Sequence, residues 1–307
     1  MYKLYVIAPV YQVEISNIKR ALAWMRYSSN MCSSNYRMLA GAALLSLAGP
    51  LLAAEPALWE AGVFAGSAVT PAYPGASERS TRTLALPYLI YRGEVLRADR
   101  SGVGARLLDT DRTQFDVGFA LSLPARSDDV PARRGMPDLG TLVEFGPRLK
   151  IKLAEPTPTS RWQLELPLRA VIEARGGLRR QGATFEPRLS YARLGDGGRW
   201  SMDASLSAVL GNRDINDYFY TVAPQYATPE RPAYAAKSGL MLTRLGLSGS
   251  YLLHPDWRAF AFVRHELYHG AANRNSPLLL QNSGTSAGFG VMWTWQRSSL
   301  AARGSGD

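Results

Sequence analysis

The chain has 307 residues, 46% of them hydrophobic and 20% charged, with a formal net charge of +10. That length holds one large domain or two ordinary ones, and no apolar run reaches the ~20 residues that a membrane-crossing helix needs, so a helical membrane protein is excluded. The one cysteine, Cys32, excludes a disulfide framework and thiolate metal sites.

Residues 1–30 match nothing downstream and read as an over-extended N-terminus, with translation starting at Met31 or Met25. From Met38 to Leu52 runs a single apolar block; Arg26 and Arg37 precede it, Gly49 and Pro50 sit near its end, and Ala53 and Ala54 follow. Basic, apolar and small residues in that order form a signal peptide over 31–54, cleaved near Ala54. The leader takes Cys32 with it, which suits export to an oxidising compartment. Removing residues 1–54 takes away five cations and one anion, so 35 basic against 25 acidic residues becomes 30 against 24 in the mature chain 55–307. For an exported chain this balance points to anionic lipid headgroups, lipopolysaccharide or cell-wall polymers, and not to nucleic acid.

Beyond Leu58 the pattern has period two. Phe115 to Leu123 alternates apolar with polar or small residues, as do Val143 to Leu153, Trp162 to Ala170 and Trp200 to Leu206. Successive side chains of a strand point to opposite faces, so each run has one apolar face. The runs are 58–69, 81–92, 94–108, 112–123, 141–153, 160–174, 181–193, 199–211, 238–252, 256–270 and 285–297. A soluble sandwich or a membrane barrel can use such strands. Three features favour the barrel. The runs are longer than the ~5–6 residues of ordinary strands. Charges such as Glu144, Arg148, Lys150 and Lys152 recur on one face. Aromatics (Trp59, Tyr88, Tyr91, Trp162, Trp200, Trp257, Trp293, Trp295) lie near run ends, as interface girdles do. The long gaps 124–140, 212–237 and 271–284 fall at one end and the short gaps 154–159, 194–198 and 253–255 at the other. Bacterial barrels have even strand numbers. Splitting 94–108 at Asp99–Gly102 gives an all-β, closed antiparallel transmembrane barrel of twelve strands, with ten as the alternative.

The runs and loops also carry a family pattern. It starts at Pro71-Ala72-Tyr73-Pro74-Gly75-Ala76-Ser77, Leu86-Pro87-Tyr88 and Tyr91-Arg92, and continues through Leu139 to Pro147 and Leu166 to Ala170. It then takes in Phe185 to Tyr191, Asn216 to Val222, Tyr226-Ala227-Thr228, Arg231-Pro232-Ala233-Tyr234 and Ser276-Pro277-Leu278. In order and spacing this resembles the MipA/OmpV family of outer-membrane proteins over residues 58–297. The resemblance implies an outer-membrane barrel. It further implies a scaffold joining a murein lytic transglycosylase to a penicillin-binding murein synthase, since the namesake is similar to such a scaffold. One departure is the polar tail Gly304–Asp307 after Trp295, where barrels of this kind commonly end on an aromatic residue.

Several constellations invite an enzymatic reading. His265-Glu266-Leu267-Tyr268-His269 matches the H-E-x-x-H zinc motif, which works when a helix sets both histidines on one face. On a strand the two are ~13 Å apart and cannot share an ion, so no metal site and no cofactor is expected. Ser248, Ser250, His265 and Glu266 form a conceivable lipid-hydrolase set on adjacent strands, without a nucleophile motif around the serines. The loop 212–237 has the better claim to function. Asp217, Tyr218, Phe219, Tyr220, Tyr226, Arg231 and Tyr234 are the candidate binding residues, because tyrosine and arginine anchor recognition surfaces. The competing reading folds that loop inward as a plug, with Asp217 paired to Arg231. Basic residues Arg148, Lys150, Lys152, Arg169 and Arg188 share faces with Glu144, Glu165, Glu173 and Glu186, which predicts cross-strand ion pairs and a closed lumen. The sequence therefore points to a non-enzymatic scaffold or binding protein of the outer membrane. A narrow channel, a surface adhesin or stress-response protein, and a lipid hydrolase are the alternatives.

Overall fold

A computed structural model of the protein describes residues 56–93, 96–99 and 102–302. The readings of 1–30, of the leader 31–54 and of the tail Gly304–Asp307 lie outside those residues.

The described chain forms one antiparallel sheet. Its strands are β1 (Trp59–Pro71), β2 (Arg79–Arg92), β3 (Leu96–Asp99), β4 (Gly102–Asp109), β5 (Thr113–Ser122), β6 (Thr141–Thr157) and β7 (Ser160–Ala174). These are followed by β8 (Leu178–Phe185), β9 (Arg188–Gly195), β10 (Trp200–Gly211), β11 (Gly239–His254), β12 (Trp257–Leu267) and β13 (Ser283–Arg297). Each pairs with its neighbours in sequence except that β8 and β9 do not pair with each other, and β1 also pairs with β13.

β8 and β9 are two halves of one course. Both pair with β7 on one side and β10 on the other, and they part at Glu186-Pro187, where proline has no N–H to give the ladder. Counted as one, they leave twelve courses. The expected split of 94–108 into two short strands is present as β3 and β4. Some bounds move: β8 starts at Leu178, and β12 stops at Leu267 because the chain turns at His269-Gly270, where Gly270 has φ +74°.

Alternation sorts the side chains. On β6 the even-numbered residues Leu142, Glu144, Arg148 and Lys150 are buried while their odd-numbered neighbours are more accessible. The face with the buried charges is called the inner face below. The outer face carries exposed Leu168, Leu206, Leu245, Leu247, Val263 and Phe289. The expected loop parity also holds, with the long connections 123–140, 212–238 and 268–282 at one end together with 72–78.

The apolar core proper sits among those loops and the adjoining strand ends. Tyr73, Val130, Leu139, Ile215, Phe219, Tyr220, Tyr268, Leu278 and Leu279 pack in one cluster. Burying chains of this size stabilises by roughly 1.5–3 kcal/mol each. The loops therefore form a folded cap, and its existence is the main departure from a picture of strands joined by loose connections.

Candidate functional site

The cap is built around a short helix, α1 (Arg213–Tyr220). Asn212 starts it: its Oδ1 accepts from Ile215 N at 3.3 Å, satisfying a first-turn donor. Ile215 and Phe219 lie four apart, as do Asn216 and Tyr220, and all four are buried. The same Asn212 Oδ1 accepts from Ala183 N at 3.0 Å, where Gly182 at φ +116° forms a bulge opposite Val171. A Cβ at Gly182 would lie 2.3 Å from Asn212 Oδ1, so only glycine lets α1 seat here.

Polar groups tie the four loops together. Asn273 Nδ2 donates to Asn216 Oδ1 at 2.8 Å and to the Lys237 carbonyl at 2.8 Å, and its Oδ1 accepts from Lys237 N at 2.8 Å. Asn216 Nδ2 donates to the carbonyls of Gly211 and Asn212 at 3.0 and 2.9 Å. Tyr73 donates to the Leu278 carbonyl at 2.7 Å and Ser276 to the Tyr220 carbonyl at 2.6 Å. Arg133 is buried, lies over the Tyr73 ring at 5.6 Å, and donates to the Phe219 and Pro137 carbonyls. Burial pulls its guanidinium below the ordinary arginine value, partly offset by Tyr73 and Tyr218. Burial in turn pushes the Tyr73 and Tyr220 phenols above their ordinary range. The Tyr220 hydroxyl reaches no hydrogen-bond partner among the described residues.

The candidate residues divide accordingly. Phe219 and Tyr220 are sealed in the cap and unavailable to a partner. Tyr218 donates to Glu173 Oε1 at 3.0 Å and accepts from Gly140 N at 2.7 Å; burial, then Glu173, raises its phenol. Asp217 accepts from the Thr221 hydroxyl at 2.6 Å and lies 3.5 Å from Arg213. It does not pair with Arg231, which corrects that expectation. Arg231 instead donates to the carbonyls of Tyr226, Ala132 and Arg134, since its guanidinium matches a cluster of loop carbonyls that have no strand to bond. Tyr234 donates to Asn273 Oδ1 at 3.2 Å. Loop 212–237 thus folds inward, and Asp217, Tyr226, Arg231 and Tyr234 keep partly accessible surface. Arg133 and Asn273 escaped sequence reasoning, because their partners lie 86 and 57 residues away.

Below the cap, charges fill part of the inner face. Arg148 makes two bonds of 2.8 Å to Asp116, and Lys150 lies 3.5 Å from the same carboxylate. Arg169 meets Glu186 at 3.4 Å, and Arg244 bridges Glu186 at 2.6 Å and Glu266 at 2.7 Å. Tyr268 donates to Glu266 at 2.9 Å. A bare buried charge is costly, so each of these cations sits against a carboxylate, from a neighbouring strand or, for Glu186, from the break between β8 and β9. The expected cross-strand pairing is present, although Asp116 and Asp203 take the places assumed for some glutamates.

The H-E-x-x-H stretch is extended up to Leu267. His265 bonds Thr285 Oγ1 at 2.9 Å on the outer face, while Glu266 points inward to Arg244. Ser248 pairs in register with Phe262 and Ser250 with Phe260, both inner positions, so the serines and His265 occupy opposite faces. No group of three or more His, Cys, Asp or Glu residues that could hold a metal occurs among the described residues.

At the turn end the outer face carries aromatics. Trp162 packs on Tyr191 at 5.1 Å between ring centroids, and Trp257 stacks on Trp293 at 5.8 Å. Tyr88 was expected in this belt, but it is buried on the inner face and bonds Thr294 Oγ1 at 2.5 Å, because even-numbered positions of β2 face inward.

Among solved structures the chain is similar to an outer membrane channel from Pseudomonas putida F1, with TM-score 0.42 and 12% identity over 81% of this chain and 100% of that one. The translocator domain of the autotransporter NalP from Neisseria meningitidis gives 0.36 and 12% over 77% and 88%. Outer membrane phospholipase A from Escherichia coli gives 0.33 and 13% over 76% and 92%. No curated protein sequence matches the chain. A family model described as MltA-interacting protein MipA matches residues 63–295, and the chain belongs to that family.

Proposed function

We propose that the strands form a closed barrel in the outer membrane of a Gram-negative envelope, capped at its outer end, and that the protein acts there as a non-enzymatic scaffold. The carrying observation is the outer face, where exposed leucines, Val263 and Phe289 (69% accessible) form an apolar band above the tryptophan and tyrosine belt. Water penalises such a band and a bilayer accepts it. From Trp257 to Leu267 the eleven residues of β12 match the ~9–11 that a tilted membrane strand needs.

The scaffold reading draws on family membership, because the family's description names an interaction and no reaction. The cap occupies the long-loop end, leaving the short turns and the chain ends for periplasmic partners. A lytic transglycosylase and a penicillin-binding murein synthase are the partners proposed. Purified outer membranes should yield a band whose gel migration changes on boiling; a band that never shifts would refute the barrel. Envelope co-purification should recover a lytic transglycosylase, and its repeated absence would refute the scaffold alone.

A further inference from the structure

The inner face has two unlike halves. From β5 round to β11 the charge network is packed until Asp116, Arg148, Arg169, Glu186 and Arg244 are buried. Across β12, β13, β1 and β2 the inner positions include a run of apolar side chains, Phe260, Phe262, Met292, Phe64, Leu84 and Leu86, all partly accessible, with Arg258 bonded to Ser250 and Arg264 over the Phe262 ring beside them on β12. Glycines make this wall flat. A Cβ at Gly290 would lie 2.5 Å from the Phe260 ring and one at Gly288 2.6 Å from the Phe262 ring. The rings therefore lie against the bare backbone, and Phe64 and Phe260 adjoin at 5.2 Å between centroids.

The same wall has an edge. β2 pairs with β3 only through Tyr91 and Arg92, so from Arg79 to Ile90 its other edge has no strand partner among the described residues. Above the short β3–β4 hairpin, β2 and the end of β5 are linked by a side chain, as Arg82 donates to the Pro124 carbonyl. Arg82 is an inner position beside Leu84, and no carboxylate pairs with it among the described residues.

We infer that this half of the inner face binds a single-chain anionic amphiphile of the fatty-acid type, admitted sideways between β2 and β5. Its tail lies along Phe64, Leu84, Leu86 and Phe260, and its carboxylate meets Arg82. From Arg82 to Ile90 the wall runs about 26 Å at ~3.3 Å per residue, long enough for an extended acyl chain. A charged head suits Arg82, which has no carboxylate partner among the described residues and stands where the stripe of Leu84 and Leu86 ends. The inference rests on the barrel reading, and the experiment keeps the two apart.

The protein is reconstituted in phosphatidylcholine nanodiscs and titrated with a dansyl-labelled undecanoic acid, then with laurate or dodecanol as competitor. Saturable binding displaced by laurate is expected. Leu84→Glu and Leu86→Glu should each weaken binding by about tenfold or more, since either sets a carboxylate against the tail. Arg82→Gln should weaken laurate several-fold and leave dodecanol unchanged. Absence of saturable binding overturns the site, as does undiminished binding by both glutamate variants that still show heat-modifiable migration. Equal loss of laurate and dodecanol in Arg82→Gln overturns the role of the head. A parent protein without heat-modifiable migration overturns the barrel and this site together.

Discussion

Tyr220 holds its hydroxyl in the cap with no hydrogen-bond partner among the described residues. An unmet buried hydroxyl costs roughly 1–3 kcal/mol, and removing it while keeping the ring leaves the packing intact. Tyr220→Phe is therefore expected to leave stability unchanged or raise it by about 1 kcal/mol, read from urea unfolding in detergent. Asn273 is the opposite case. It satisfies Asn216 and both backbone groups of Lys237, so Asn273→Ala should lower cap stability by about 2–4 kcal/mol, seen as faster tryptic cleavage after the exposed Arg134. Neither role shows in the sequence, where a tyrosine beside a phenylalanine looks like a recognition residue. What distinguishes them is burial, which depends on loops far apart in the chain. His265 and Glu266 were easier to place, because alternation from Trp257 onward already assigned them to opposite faces of a strand.

The strands were legible because a half-buried sheet writes itself into the chain with period two, and even the split at 99–102 followed from strand parity. α1 was not. Its eight residues are too few to show a helical period, and its stability comes from docking. The bond from Asn212 to Ala183 and the bulge at Gly182 provide that docking. Asn212→Ala should cost about 1 kcal/mol, and Gly182→Ala more, because it also meets a left-handed backbone and the Asn212 side chain; hydrogen exchange of Ile215 and Asn216 is the measurement. The cap should also be alkali-sensitive. Burial raises the phenols of Tyr73, Tyr218 and Tyr220. Unfolded tyrosines lose their protons near pH ~10 while the folded ones keep them, so their contribution is whole below that pH and declines as pH climbs beyond it. Exchange protection of the cap should fall above pH ~10, and a cap equally protected there would contradict its buried phenols.

For the molecule as a whole, the packed charge network and the cap both oppose ion flow. Planar-bilayer recordings of the intact protein should show little conductance, and the double variant Arg133→Ala with Arg231→Ala should show more, because it unties loop 123–140 from loop 212–238 within the cap. No change would mean that the charge network alone closes the path. The cap has a further consequence. Tyr73 follows the first strand and Leu278 precedes the last, 205 residues apart, and the same two strands join each other. Such distant contacts form late in folding because the loop entropy must be overcome first. The cap is then a mark of completed assembly, since its Tyr73–Leu278 bond can form only once the first and last strands have come together. In a refolding time course, protection of Arg134 from trypsin should arrive with the slowest phase.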